Sequence, residues 1–118
     1  MENRPSLLVD MRKGRIRIHK NTLHALGDPG FVLLVVNPEE HTFGIQCSMV
    51  DDKLAHRVRR STMESRVCYE IYSKSLMSAF HKLCPDWDDK KNYRLEGNVI
   101  TDENMVVFSM KKFTVLEC

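Results

Sequence analysis

The residues with the clearest chemical potential in this chain form two clusters of basic side chains. The first lies between Asp10 and Lys20, where five cationic residues accompany one acid. The second lies between Lys53 and Arg66, where five cationic residues accompany Glu64. Grouped guanidinium and ammonium ions bind phosphate oxygens, so both clusters predict contact with a phosphate-bearing polymer such as DNA. The residues predicted to contact nucleic acid are Arg12, Lys13, Arg15, Arg17, Lys20, Arg57, Arg59 and Arg60.

The first cluster contains a spacing that places two arginines side by side. From Arg15 to His19, charged and apolar side chains alternate, which is typical of a half-buried strand with Ile16 and Ile18 facing the core. Arg15 and Arg17 then share the other face, about 7 Å apart. This separation matches successive phosphates along one nucleic-acid strand. The alternative is that both are surface residues paired with acids of a neighbouring strand, and the pattern alone favours neither.

The second cluster lies in residues 50–66, the least patterned part of the chain. A polar, charged segment of this kind is typical of a solvated connector. If Arg57, Arg59 and Arg60 contact nucleic acid, they should add salt-sensitive affinity rather than sequence selectivity.

Patterns typical of catalysis or metal binding are absent from the sequence. It contains no glycine-rich phosphate loop, nucleophile elbow or HExxH motif. The acid pairs Glu39-Glu40 and Asp51-Asp52 are sequence neighbours, which seldom face one another across a substrate. The four cysteines form no CxxC pair, so we expect free thiols and no metal. The sequence therefore predicts a binding protein without a cofactor rather than an enzyme.

The composition predicts one globular domain spanning residues 1–118. A chain of 118 residues with 42% hydrophobic content can bury a core without disulfides or metal. Its longest apolar run, residues 31–36, is too short to cross a bilayer. The N-terminus lacks the apolar segment of a secretory signal. We therefore expect a cytoplasmic protein with no membrane partner.

One stretch of sequence occurs twice at a constant offset. Residues 15–26, RIRIHKNTLHAL, align with residues 68–79, CYEIYSKSLMSA. Both copies run from an alternating segment into a short helical pattern, and two further alternating segments joined by a turn follow. Such a period predicts a strand–helix–hairpin unit built twice. The repeats would cover about residues 14–49 and 67–116, joined by the basic connector 50–66.

Periodicity and turn residues predict the individual elements. Ser73 is predicted to cap the second helix, and Pro85 to follow its end. The last strand is predicted to pair with the first. The predicted strands are residues 6–11, 15–19, 31–36, 41–49, 68–72, 93–100, 105–110 and 113–116, and the predicted helices are residues 22–26 and 74–83.

The first copy, GRIRIHKNTLHALG at residues 14–27 with the hairpin at 31–45, resembles the swapped-hairpin DNA-binding family typified by AbrB, SpoVT and MazE. That family has a glycine–arginine strand ending in Ile-Pro-Lys, a short helix ending in Leu-Gly, and a hairpin. MraZ-like proteins carry two such units. The resemblance implies a mainly β (α+β) fold, a small barrel of two interleaved units, and a bacterial transcription regulator contacting DNA through its basic strand.

Departures from that family support a second hypothesis. His19 and Tyr72 replace the family's proline, and Leu23 and His24 stand where its helix often presents arginines. The alternative is a barrel that has lost DNA binding and serves as a protein-interaction module of a phage or mobile element. Its contact face would be the segment 86–89, which contains one tryptophan and three aspartates.

The second copy carries Cys68 and Glu70 where the first carries Arg15 and Arg17. We therefore expect the first copy to make most of the DNA contacts. A two-fold DNA site would need a homo-oligomer.

Overall fold

The computed structural model describes residues 4–48, 54–58 and 68–116, and its fold is mainly β. This confirms the coarse fold prediction. The strands are β1 (Ser6–Asp10), β2 (Arg15–His19), β3 (Phe31–Asn37), β4 (Thr42–Cys47), β5 (His56–Arg57), β6 (Cys68–Tyr72), β7 (Asn92–Ile100) and β8 (Met105–Leu116). The helices are α1 (Lys20–Ala25) and α2 (Lys74–Leu83), with one 3₁₀ turn at Thr101–Glu103.

All eight strands belong to one antiparallel sheet in the order β5-β3-β4-β8-β7-β1-β2-β6. The sheet curls into a half-barrel. Its two edge strands lie close together. The Tyr69 hydroxyl on β6 donates a hydrogen bond to the Arg57 carbonyl on β5. Across the described residues these edges share this side-chain bridge rather than a backbone ladder.

The core lies inside this curl, and the apolar side of α2 packs against it. Alternation along β2 buries Ile16 and Ile18, as the period-two pattern predicts. The apolar side of α2 buries Leu76, Met77 and Phe80. No helix in the described ranges is long and apolar enough to cross a membrane.

A stack of aromatic rings joins α2 to the sheet. Phe80 meets Phe43 edge-on at 5.7 Å and lies nearly parallel to Trp87 at 5.6 Å. Trp87 in turn stacks on Tyr93 with ring centroids 4.2 Å apart. Trp87 is consequently only 7% exposed. The acidic face considered for a protein partner therefore lacks its aromatic contact residue, because the tryptophan packs in the core.

The predicted pairing of the last strand with the first is wrong, as the longest strand, β8, shows. Residues 113–116 pair with β7, with Leu95 opposite Phe113, and not with the N-terminal strand. The first strand pairs with the other edge of β7, which therefore separates the two. A bulge after Leu95 moves the register to Gly97 opposite Phe108. A side chain at Gly97 would come within 2.5 Å of Val106, so this close approach requires glycine.

The first helix begins at Lys20, two residues earlier than predicted. The cause is His19, whose Nδ1 accepts a hydrogen bond from the Asn21 N–H at 3.0 Å and caps the helix. The second helix has its predicted bounds. Its predicted cap is confirmed, since Ser73 Oγ accepts from the Leu76 N–H at 3.2 Å.

Candidate nucleic-acid interface

The turn between β1 and β2 carries two exposed cations, Arg12 and Lys13. Asp10, itself 5% exposed, holds the turn in place. Its Oδ1 accepts from the Lys13 N–H at 3.0 Å, and its backbone carbonyl accepts from the Gly14 N–H at 2.9 Å. Gly14 has a φ of 68°, a conformation that a side chain would strain. The two cations are therefore presented on a turn whose backbone is fixed.

Arg15 follows this turn, but its guanidinium is mostly buried and bonded to partners inside the protein. Its Nε donates to Asp10 Oδ2 at 3.1 Å, and its Nη1 donates to Glu70 Oε2 at 2.9 Å and to the Tyr72 hydroxyl at 3.2 Å. Burial by itself lowers the pKa of Arg15, but the hydrogen bonds to Tyr72 and Asp10 and the charge of Glu70 outweigh it and raise the pKa. Arg15 thus matches the alternative of an arginine paired with acids of neighbouring strands.

The basic turn faces α2 across a groove of about 810 Å³, which we call the basic groove. The helix side of the groove presents Lys74 and Lys82, both exposed. None of the described residues that line it is an aspartate or glutamate. Tyr72, Ser73 and Ser78 add hydroxyl groups to the lining. The groove therefore combines four cations with neutral hydrogen-bond donors, which suits an anionic polymer backbone.

The cations of the basic groove are electrostatically available. Neither Arg12 nor Lys13 forms a side-chain ion pair within the described part of the chain, and the same holds for Lys74 and Lys82. The imidazole in this groove, His81, lies 3.4 Å from Asp89. A bound phosphate would thus meet four positive charges that no carboxylate of the described residues pairs with.

The other predicted contact residues do not line this groove. Arg17 lies on the outer face of β2, beside a different cleft, and Lys20 begins α1. Arg57 lies exposed on the edge strand β5. Arg59 and Arg60 lie outside the described residues. The structure therefore brings together Arg12 and Lys13 from the predicted set.

Lys74 and Lys82 were missed by sequence reasoning, although a signal existed. Together with Ser78 they recur every four residues, a spacing that places all three on one face of a helix. The same helix has a stronger apolar stripe, formed by Leu76 and Phe80 among others, and this stripe dominates its sequence pattern.

The cysteines and potential metal ligands add no further site. Cys47, Cys68 and Cys84 are free thiols, and burial raises the pKa of Cys84 to about 11, which keeps it protonated. Among the residues that the structure describes, no group of three or more metal-ligating side chains comes together.

Comparison with protein-family models, with curated proteins and with solved structures gives no match to this chain. Function must accordingly be inferred from the geometry and charge of the surfaces described above.

Proposed function

We propose that this protein binds DNA through its phosphate backbone, with the basic groove as the contact surface. The observation that carries the proposal is the convergence of four cations, two from the β1–β2 turn and two from α2, around one groove. Within the described part of the chain these cations have no ion-pair partner and the groove has no lining carboxylate. Backbone contacts of this type supply affinity and register rather than sequence choice.

Rigidity of the groove favours the same function. The turn is held by two hydrogen bonds to Asp10, and α2 is anchored by Phe80 in the core. Cations on fixed backbone lose little conformational freedom on binding, so more of the electrostatic attraction remains as affinity.

The resemblance to the AbrB-like family supports a role as a small transcription regulator. In that family the strand and turn corresponding to residues 14–20 present cations to DNA. In this chain the exposed cations at that end, Arg12 and Lys13, lie in the turn. Arg15, the strand residue nearest to it, is occupied by Asp10 and Glu70. We therefore assign the DNA contact to the turn and the facing helix rather than to the strand arginines.

We further propose that the sheet is built from two interleaved repeats. Arg17 corresponds to Glu70 when residues 15–26 are aligned with 68–79, and these two residues lie directly opposite each other where β2 pairs with β6. The final strands of the two hairpins, β4 and β8, also pair with each other. Antiparallel pairing centred on equivalent positions is what a two-fold relation between the copies produces.

Splitting the chain tests the interleaved arrangement. Three ladders join the two halves, namely β2 with β6, β4 with β8, and β1 with β7. Fragments 1–58 and 59–118 should each be largely unfolded alone and should recover a cooperative thermal transition when refolded together, as measured by circular dichroism. Two fragments that fold independently would contradict the proposal.

The DNA-binding proposal is tested by removing charge from the groove. An Arg12→Gln/Lys13→Gln variant should bind a duplex more weakly than wild type, because about two phosphate contacts are lost. The slope of log affinity against log salt should therefore fall by about two. Fluorescence anisotropy with a labelled duplex at several salt concentrations measures both quantities.

The matched control removes the same charge elsewhere. Lys111→Gln/Lys112→Gln alters two exposed lysines on β8, outside the basic groove. It should keep a salt slope close to that of wild type. Equal losses in both double variants, or no duplex binding by wild type at low salt, would overturn the proposed function.

A further inference from the structure

A second cleft, of about 610 Å³, lies on the outer face of the sheet across β7, β1 and β2. Three arginines from distant parts of the chain line it, Arg4, Arg17 and Arg94. The only lining carboxylate among the described residues is Glu96. We call this site the arginine cleft, and its charge cannot be read from the sequence because its arginines are far apart along the chain.

The sheet register places two of these arginines on either side of one leucine. Leu8 on β1 lies opposite Arg94 on β7 and, on its other edge, opposite Arg17 on β2. Two strand spacings separate the two arginine positions, about 10 Å between their Cα atoms. Long side chains at this separation can close on one ligand from both sides. Leu8 supplies an apolar floor between them, and Leu116 on β8 adds an apolar wall on the far side of β7.

The donors of these two arginines are not used up inside the protein. Arg94 forms no hydrogen bond or ion pair with the described residues, and it is exposed. Arg17 Nε is shielded from solvent and, although Glu70 Oε2 lies 3.2 Å away, no acceptor meets it in hydrogen-bond geometry. That Glu70 oxygen already accepts from Arg15. A buried donor without an acceptor is costly. The Arg17 side chain as a whole is 39% exposed, so the accessible part of its guanidinium, rather than this shielded Nε, can meet an incoming anion.

The remaining groups leave the cleft with an excess of positive charge. Arg4 is balanced, since it pairs with Glu96 at 3.3 Å and donates to Asn98. Arg17 shares Glu70 with Arg15, and Arg94 has no balancing carboxylate within the described regions. A ligand with negative charge would therefore complete the cleft rather than compete with an internal ion pair.

The pKa of His19 reflects the same local excess of positive charge. Partial burial, then the charges of Arg94 and Lys20, lower the pKa of His19. The ring is thus neutral near pH 7, and since its Nδ1 accepts from the Asn21 N–H, its proton lies on Nε2. His19 lines the cleft and offers this N–H as a neutral donor.

We propose that the arginine cleft binds a phosphate group, held between Arg17 and Arg94 above Leu8. Guanidinium groups pair with phosphate through parallel N–H···O bonds, and two of them approaching from opposite sides suit its tetrahedral oxygens better than a planar carboxylate. The volume exceeds that of phosphate alone and falls in the range of small-ligand sites. The phosphate is carried either by a small molecule with an apolar or planar remainder or by a nucleic-acid strand.

Amide chemical shifts measured in Hepes buffer during titration with inorganic phosphate test the proposal. The amides of Leu8, His19 and Arg94 should shift saturably. An Arg94→Gln variant should bind phosphate about tenfold more weakly or worse, because a charged hydrogen-bond donor is lost. Arg94 is exposed and has no partner among the described residues, so this variant should fold normally. Lys111→Gln, at an exposed position on β8 outside both the arginine cleft and the basic groove, should bind phosphate at the cleft as wild type does. No shifts at the cleft, or equal affinity in Arg94→Gln, would overturn the proposal.

Two further arms distinguish the source of the phosphate. Adenosine monophosphate binding more tightly than inorganic phosphate at the cleft would identify a small phosphorylated ligand. Equal affinities, together with weaker binding of a single-stranded oligonucleotide by Arg94→Gln, would identify a backbone phosphate. Neither arm depends on the basic groove, so a failed duplex experiment with Arg12→Gln/Lys13→Gln leaves this test intact.

Discussion

An Asp10→Ala variant should lose about 3 kcal/mol of folding free energy, because one carboxylate with two partners disappears from a nearly buried position. Asp10 accepts from both the Lys13 N–H and Arg15 Nε, and its side chain is 7% exposed. Its removal leaves Arg15, 13% exposed, with Glu70 as its remaining carboxylate partner among the described residues. Urea denaturation followed by circular dichroism measures the loss.

The same variant should bind duplex DNA more weakly than its residual stability explains. Without Asp10 the β1–β2 turn loses a backbone hydrogen bond, so fixing Arg12 and Lys13 against phosphates costs more conformational entropy. Asp10→Asn is the matched variant, because its amide oxygen can still accept from the Lys13 N–H while the charge is lost. It should be intermediate in stability and close to wild type in binding. An Asp10→Ala protein with wild-type stability would show that the turn does not depend on this carboxylate.

Phe80→Ala should cost about 4 kcal/mol, the typical range for removing a large buried aromatic ring. Phe80 is fully buried on α2 and touches Phe43 on one side and Trp87 on the other. Truncation leaves a cavity between the helix and the sheet that the stacked rings cannot fill. The midpoint of urea unfolding should fall accordingly. Duplex binding should also weaken, because α2 carries Lys74 and Lys82.

Two further substitutions serve as controls for the Phe80→Ala prediction. Phe80→Leu keeps most of the volume and should lose far less stability. Phe113→Ala removes a ring that also contacts Trp87 but is 42% exposed, so its cost should be well below that of Phe80→Ala. Equal losses for Phe80→Ala and Phe113→Ala would show that the aromatic stack, rather than burial under α2, supplies the stabilisation.

Local patterns predicted much of the secondary structure because local contacts produce it. Alternation in residues 15–19 gave the strand β2 with its buried face, and the spacing of apolar residues with Ser73 gave α2 with its cap. The start of α1 was misplaced because a histidine capped it, and histidine is not among the usual capping residues. The pairing of residues 113–116 was wrong because strand partners are non-local, and the bulge after Leu95 changes the register.

The basic clusters at residues 10–20 and 53–66, and the repeat that links residues 15–26 with 68–79, could be read directly from the order of residues. The order of residues does not show which cations lack an internal ion-pair partner, since ion pairing depends on distance in space. Folding brings Glu70, 55 positions away in sequence, onto Arg15 and neutralises it. The same folding sets Lys74 and Lys82 opposite the β1–β2 turn. It also places Arg94 across Leu8 from Arg17, with no ion-pair partner among the described residues. The order of residues therefore predicted basic clusters, and the packing of β6, β7 and α2 around β1 and β2 determined which of their cations are available for the proposed phosphate contacts.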